Sequence, residues 1–426
     1  MAIQRFGVYR VGSVVHAPVV KAGNWVLGTG LRAVGGDGIV VSDVARLSRP
    51  LDPPPRPERE AGRIFWAIEQ YFQAAETSLS RVVRLDQYYS AWQAVDPYHS
   101  VRKAAFRGSV PPSTSILVGG LLNTDAGMDV QVMAITASGS LEVTRAVPPG
   151  AGVPEESGYS PCVRAGDLLF VAGQLARDAL GNIAEAARVP AGQLWRGTRI
   201  KLETGYVIRQ RLAPLLSASG SDLDLILKAQ VYLGCECDLP AFWQVWRSAF
   251  PGPAPPTTII PVSPPAFGTR DATLEINVIA AHRDARHRIE DIRCDVDLVC
   301  PDMLPARRFD DLLFVAGLMA IGPEGLVESA RVRPTAPYFC DTVAAQMADI
   351  LGKARKIFAA AGTGLDNVIR ALHFQTRLNG FASVYEQWRQ AIGDSGLPFS
   401  AVQVHPSLFV PGAELIVDLF GYVPRR

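Results

Sequence analysis

Gly166-Asp-Leu-Leu-Phe-Val-Ala-Gly173 returns as Asp310-Asp-Leu-Leu-Phe-Val-Ala-Gly317, and a worn copy, Gly23-Asn-Trp-Val-Leu-Gly-Thr-Gly30, stands earlier in the chain. Gly30, Gly173 and Gly317 lie 143 and 144 residues apart, and three such intervals fill the 426 residues. A fixed long period of this kind predicts one folding unit written three times. The expected units are 1–140, 150–284 and 292–426. Three diverged copies in one chain also predict three unequal sites where a homotrimer would have three equal ones.

Working outward, the copies share one order: strand, hairpin, helix, strand, helix, strand pair. Ile64, Ile68, Tyr71, Phe72 and Ala75 recur at helical spacing, as do Ile350, Ala354, Ile357, Phe358 and Ala361, so each set predicts a helix with one apolar face. Small-residue turns follow at 74–77, 217–220 and 360–363, then strands at 82–89, 226–233 and 368–375 that carry Arg84, Lys228 and Arg370 at one position. Pro-Pro-Ser-Thr at 111–114, Pro-Pro-Thr-Thr at 255–258 and Pro-Phe-Ser-Ala at 398–401 precede the closing strands. The seams 138–157 and 282–295 read as irregular linkers. A proline-rich insertion at 49–57 reads as a rigid loop or as a lid over a site.

Composition excludes several classes. Lys+Arg is 42 against Asp+Glu 41, so no basic excess argues for nucleic acid. No apolar run approaches the roughly 20 residues of a membrane helix, and the first residues are no signal peptide. Six cysteines, with Cys235-Glu-Cys237 the one close pair, form neither a disulfide framework nor a zinc set. They are expected to be reduced, in a cytoplasmic protein.

The stretch Ser157-Gly-Tyr-Ser-Pro-Cys-Val-Arg-Ala-Gly-Asp-Leu-Leu-Phe-Val-Ala-Gly-Gln-Leu resembles the opening of the RidA/YjgF family of enamine and imine deaminases. The resemblance is specific in the second copy, good in the third and weak in the first. It implies an α/β (α+β) fold of three tandem chorismate-mutase-like units, forming an intramolecular pseudo-trimer around a central barrel, with sites in the clefts between units. It also implies hydrolysis of a small unsaturated amino acid, 2-aminomuconate-like, with release of ammonia. No cofactor or metal is implied, because an imine carbon is already electrophilic. The partner is a small carboxylate or imine substrate, not nucleic acid or membrane. The chain is expected to be a monomer of three fused units, or a higher homo-oligomer of it. Two other readings stand beside this one: an amide or ring hydrolase like the triplicated cyanuric acid hydrolases, and a binding scaffold without catalysis.

The resemblance also assigns positions. The family's carboxylate-gripping arginine is replaced by Ser113, Thr257 and Ser400. Its closing-strand acid falls at Met133, Asn277 and Asp418, so Asp418 is the expected acid/base, its pKa raised by burial, and Asn277 is expected to orient water. Its tyrosine falls at His16, Tyr159 and Met303. His16 is a candidate proton shuttle, and Tyr159 and Gln174 are expected to line a pocket. Arg32 and Arg177, just past the glycine bend, are candidates to replace the missing guanidinium.

Overall fold

The computed structural model describes residues 3–45, 54–139, 141–146, 158–192, 198–336, 338 and 340–424. Most of the proline insertion, 49–53, lies outside the described residues. The chain folds as a mixed α+β protein with three large sheets. In the second sheet the order is Val143–Ala146, Cys162–Ala165, Leu168–Gln174, Leu274–Ala281, Ile226–Leu233 and Thr257–Pro261. The other two sheets repeat this order with equivalent strands, and the third gains a seventh, Gly120–Leu121, paired on Phe399–Gln403. The closing strands Met128–Ile135, Leu274–Ala281 and Leu415–Tyr422 therefore lie inside their sheets, and all their residues are buried. That explains their near-continuous apolar character, since neither face meets water.

The helices form where the apolar period is 3.6. In Arg56–Ala74, Ile64, Ile68 and Phe72 are buried; in Thr342–Ala360, Ile350, Ala354, Ile357 and Phe358 are buried. The second-copy helix is interrupted by a π-helical turn, Val207–Leu212, between Thr198–Tyr206 and Ala213–Ala218. Such a turn inserts one residue into the ladder and re-aims the side chains beyond it.

Three expectations change. The seams are not irregular throughout: Val143–Ala146 pairs with Cys162–Ala165, and Ile289–Ile292 pairs with Ala306–Phe309, so each seam donates an edge strand to the next sheet. The sheets do not close into a hydrogen-bonded central barrel among the described residues. They meet instead through one shared apolar cluster that includes Leu27, Ile135, Phe170, Ile279, Phe314 and Phe420. Finally, Cys235 and Cys237 are joined as a disulfide rather than reduced, their Cα atoms 5.2 Å apart.

Three isolated parallel bridges stitch the sheets together: Val110 to Tyr159, Ala254 to Met303, and His16 to Leu397. Each joins the start of one copy to the segment before the edge strand of another. These bridges place His16, Tyr159 and Met303 at equivalent positions in three clefts.

Candidate functional site

The two residues expected to do the chemistry, Asp418 and Asn277, lie in neither cleft wall. They belong to a buried polar cluster where the three sheets meet. Asp418 Oδ1 accepts from Arg370 at 2.8 Å, and Oδ2 pairs with Lys228 at 2.7 Å and accepts from Thr258 at 2.5 Å. Asp86 accepts two bonds from Arg84 at 2.8 and 3.0 Å. Arg84 also donates to Asn277 at 2.6 Å, and Asn277 donates to Thr114 at 3.0 Å. The expectation that burial raises the Asp418 pKa is overturned. Burial pushes it up, but Lys228 and Arg370 outweigh that and hold it well below the usual carboxylate range. A carboxylate this strongly held is a poor proton carrier near neutral pH. Lys228, desolvated in the same cluster, is pulled down to about 8.

Pairing also corrects the register of the first copy. Trp25 pairs with Ile135, Leu168 with Ala281 and Leu312 with Tyr422. Gln131, not Met133, is therefore the counterpart of Asn277 and Asp418. Two residues earlier on the same strand face stand Asp129 and Glu275. These are the acids that reach the clefts.

In the cleft between the first and second copies, Arg177 Nη2 donates to the Tyr159 hydroxyl at 2.7 Å, and its buried Nε has no partner. Gln174 Oε1 accepts from Arg211, which the π-helical turn carries toward the cleft, at 3.2 Å. The Arg211 pKa is lowered, by burial first and by Arg177 next, so the two guanidinium groups share one neighbourhood. Glu275 is buried, and its pKa rises to about 8 because burial dominates over the attraction of Arg177. Burial thus favours its neutral, protonated form. Ser113, on the facing edge strand, accepts from Arg102 at 2.7 Å and donates to Gln87 at 3.0 Å.

Gly173 holds this acid in place. A Cβ there would lie 1.7 Å from Glu275 Oε1. Gly173→Ala is therefore expected to displace the carboxyl and to slow any reaction that uses it by about 100-fold, with the far-ultraviolet circular dichroism unchanged. Wild-type turnover by the alanine variant would show that the Glu275 position does not matter.

The cleft between the first and third copies is built differently. Arg32 pairs with Asp129 at 2.8 Å, both buried, and Ser400 donates to Asp129 at 3.0 Å. His16 is buried and its pKa falls to about 3, chiefly through burial and then through Arg32. The neutral ring donates from Nε2 to the Thr29 carbonyl and accepts at Nδ1 from the Tyr9 hydroxyl, both at 3.0 Å. With both nitrogens committed and its pKa so low, His16 does not fit the expected proton shuttle.

On the side of the third copy, Met303, Leu318 and Met319 are buried, and Lys353 Nζ donates to the Met319 and Ile321 carbonyls. Thr257 turns to its own unit, donating to the Pro255 carbonyl at 2.8 Å and accepting from Trp246 at 3.3 Å. Among the described residues no group of three or more His, Cys, Asp or Glu side chains is placed to hold a metal ion. No described helix is long and apolar enough to cross a membrane.

The structure thus brings Tyr159, Gln174 and Arg177 to one cleft and His16, Arg32 and Ser400 to another, while Ser113, like Thr257, is held within its own unit. Glu275, Asp129, Arg211 and Tyr9 were not singled out from sequence. Glu275 was accessible by alternation from Asn277. Arg211 had no sequence signal, since the π-helical turn that positions it leaves none.

Residues 152–282, the second copy, match the RidA/YjgF domain model described as Endoribonuclease L-PSP. The mitochondrial protein mmf2 of Schizosaccharomyces pombe is 28% identical over 123 residues, 29% of this chain and 86% of that protein. A Rid-family protein of Yersinia pestis, YyfA, shares 21% identity, with 32% of this chain and 99% of that chain covered at a TM-score of 0.27. A chorismatase structure covers 80% of this chain and 93% of its own at 11% identity and a TM-score of 0.46.

Proposed function

We propose that the protein is a hydrolytic deaminase of an enamine or imine of a small unsaturated amino acid, 2-aminomuconate-like in charge and conjugation. The working cleft lies between the first and second copies, in a chain that folds as a covalent pseudo-trimer and acts as a monomer. One observation carries this reading: Glu275, buried against Gly173, stands in the cleft of Arg177, whose Nη2 holds Tyr159, and burial favours its neutral form. The family match over 152–282 supports it.

In this reaction the substrate carboxylate is gripped by Arg177 and drawn by Arg211, which together replace the absent family arginine. Glu275 donates its proton to the imine nitrogen while water adds to the imine carbon. The Glu275 carboxylate, now beside Arg177, takes a proton from the added water. The carbinolamine then collapses to a carbonyl and ammonia, so one water is consumed and one ammonia released. Tyr159 and Gln174 fix the substrate's orientation.

The alternative of a serine–lysine amide hydrolase is less well supported, because Lys228 is committed to Asp418 and Thr258. A nucleic-acid substrate has no basic surface excess to draw it. The test is ammonia release from freshly generated 2-aminomuconate and 2-aminoacrylate, with Arg177→Met beside wild type. Catalysed release that falls by a factor of about 100 or more in the variant fits the assignment. Release that survives at the wild-type rate sinks the role of Arg177. No release above the uncatalysed rate sinks the reaction class.

A further inference from the structure

The strand-to-helix turn of the second copy carries Cys235 and Cys237, joined as a disulfide across a single residue, Glu236. The proposed reaction makes no use of this bond, and the equivalent turns of the other copies show that the fold does not require it. The Leu233 carbonyl accepts from Val262 N–H, as Tyr89 does from Val118 and Gln375 from Val404, so the residues after these three correspond. Where the second copy has its cysteines, the first has Ala91 and Gln93 and the third has Arg377 and Asn379. A short helical turn forms in the first copy at Trp92–Ala94 just as it does in the second at Glu236–Asp238. The capping residue Ala91 has φ −153° and ψ 143°, and Cys235 has φ −148° and ψ 136°. The same backbone is reached with no sulfur present.

Nor is the bond an effective staple. A cross-link stabilises by constraining the unfolded chain, and its effect grows with the length of the loop it closes. This one closes the shortest of loops. Both flanks are fixed without it. The strand Ile226–Leu233 is paired on one side with Thr257–Pro261 and on the other with Leu274–Ala281, and the helix Leu239–Ser248 buries Phe242, Trp243 and Trp246.

What the pair has is access. Cys237 is exposed and Cys235 half-buried, whereas Cys162 and Cys300 are buried and unbonded. Exchange begins when a thiolate reaches one sulfur of a disulfide, so exposure decides which disulfides react. The groups around Cys235 suit a sulfur that leaves and returns. Cys237 N–H donates to Cys235 Sγ at 3.3 Å, and is placed to stabilise the negative charge of a departing thiolate. Glu236 Oε2 lies 3.6 Å from the same sulfur, an acceptor for its S–H once that thiolate has gained a proton. The carboxylate is faced from the third copy by His405 Nδ1 at 3.5 Å.

We propose that Cys235-Glu236-Cys237 is a thiol–disulfide exchange site whose co-substrate is a low-molecular-weight thiol. The incoming thiolate bonds to Cys237 Sγ, and the bond between Cys235 and Cys237 breaks with its electron pair leaving on Cys235. A second thiolate attacks the small-molecule sulfur of the mixed disulfide, and Cys237 leaves. Two small thiols thus become one disulfide, the protein gains two electrons, and the two protons the small thiols release end on Cys235 and Cys237. The reverse sequence re-forms the bond. The site does not depend on the activity assigned to Glu275.

The test uses the full chain with glutathione as the small thiol, read by alkylation of the native protein and mass spectrometry. A reversible passage between disulfide and dithiol is expected at Cys235 and Cys237 as the ratio of reduced to oxidised glutathione is varied, with Cys162 and Cys300 unlabelled throughout. Cys235→Ser is expected to form a glutathione adduct on the exposed Cys237 about tenfold faster than Cys237→Ser forms one on the half-buried Cys235. The double variant, Cys235→Ser with Cys237→Ser, is expected to melt within about 3 °C of wild type. The proposal falls if the pair stays reduced in excess oxidised glutathione, or if its disulfide resists excess reduced glutathione in the folded chain. It falls equally if Cys162 and Cys300 are labelled together with the pair, which would place the exchange in the unfolded chain. A double variant that melts more than about 10 °C lower would make the bond a structural staple instead. Equal rates for the two single variants overturn the order of attack.

Discussion

Asp418→Ala is expected to cost about 3–5 kcal/mol of folding stability, the range for removing one partner of a buried ion pair. The reason lies in what the substitution leaves behind. Lys228 and Arg370 lose their shared counter-ion, and Thr258 loses the acceptor for its hydroxyl. Neither cation has water to turn to, since both are buried. Urea denaturation at pH 7 measures the loss. The pH dependence has a definite sign: because the folded pKa of Asp418 lies below its unfolded value, its contribution is present above about pH 3.9 and is lost as pH falls below it. A double variant, Asp418→Leu with Lys228→Met, is expected to recover part of the loss, because an apolar pair leaves fewer charges uncompensated. Ammonia release that disappears in Asp418→Asn with stability intact would instead return Asp418 to the chemistry.

Much of the architecture was legible because it rests on periodicity. The recurrence that ends at Gly30, Gly173 and Gly317 falls on the strands Trp25–Leu31, Leu168–Gln174 and Leu312–Val315, and the 3.6-residue spacing at Ile64–Phe72 and Ile350–Phe358 marks buried helix faces. Alternation along Leu274–Ala281 puts Glu275 and Asn277 on one face, as found. What alternation cannot supply is the neighbour of that face. The closing strands are buried on both sides, so their apolar pattern does not separate the central cluster from the clefts. Asp418 and Glu275 are both buried acids on apolar strands, yet one meets Lys228 and Arg370 and the other meets chiefly desolvation. Their opposite protonation follows from partners contributed by other strands.

Register was lost for a related reason. The loops before the closing strands differ in length, so the constant interval of 144 residues from Asn277 falls on Met133 where hydrogen-bond pairing places Gln131. Two residues preserve the face, so the error was invisible to alternation but large enough to hide Asp129. The seam strands were missed because Val143–Ala146 and Ile289–Ile292 lie next to polar, proline-bearing or charged sequence, and edge strands need little apolar character.

Glu275→Gln is expected to lower ammonia release by about 10²–10⁴-fold, the usual contribution of a positioned general acid, while leaving the fold intact. Glutamine keeps the shape, but it has no proton of suitable acidity to give the imine. Wild-type activity should be high below pH 8 and fall as pH rises through about 8, where Glu275 ionises. Any residual activity of the variant should lack that limb. Stability supplies an independent check on the same group. A folded pKa raised above the unfolded value of about 4.3 means that stability is fully present below that pH and declines as pH rises toward 8, because only the unfolded chain ionises freely. Glu275→Gln abolishes this slope, so the variant should gain stability over wild type at pH 8 and match it near pH 4. Losing activity and gaining alkaline stability through one substitution is the signature of an acid kept neutral for use. A variant that loses stability at every pH would mark Glu275 as a structural partner of Arg177, and the working cleft would then have to be sought elsewhere.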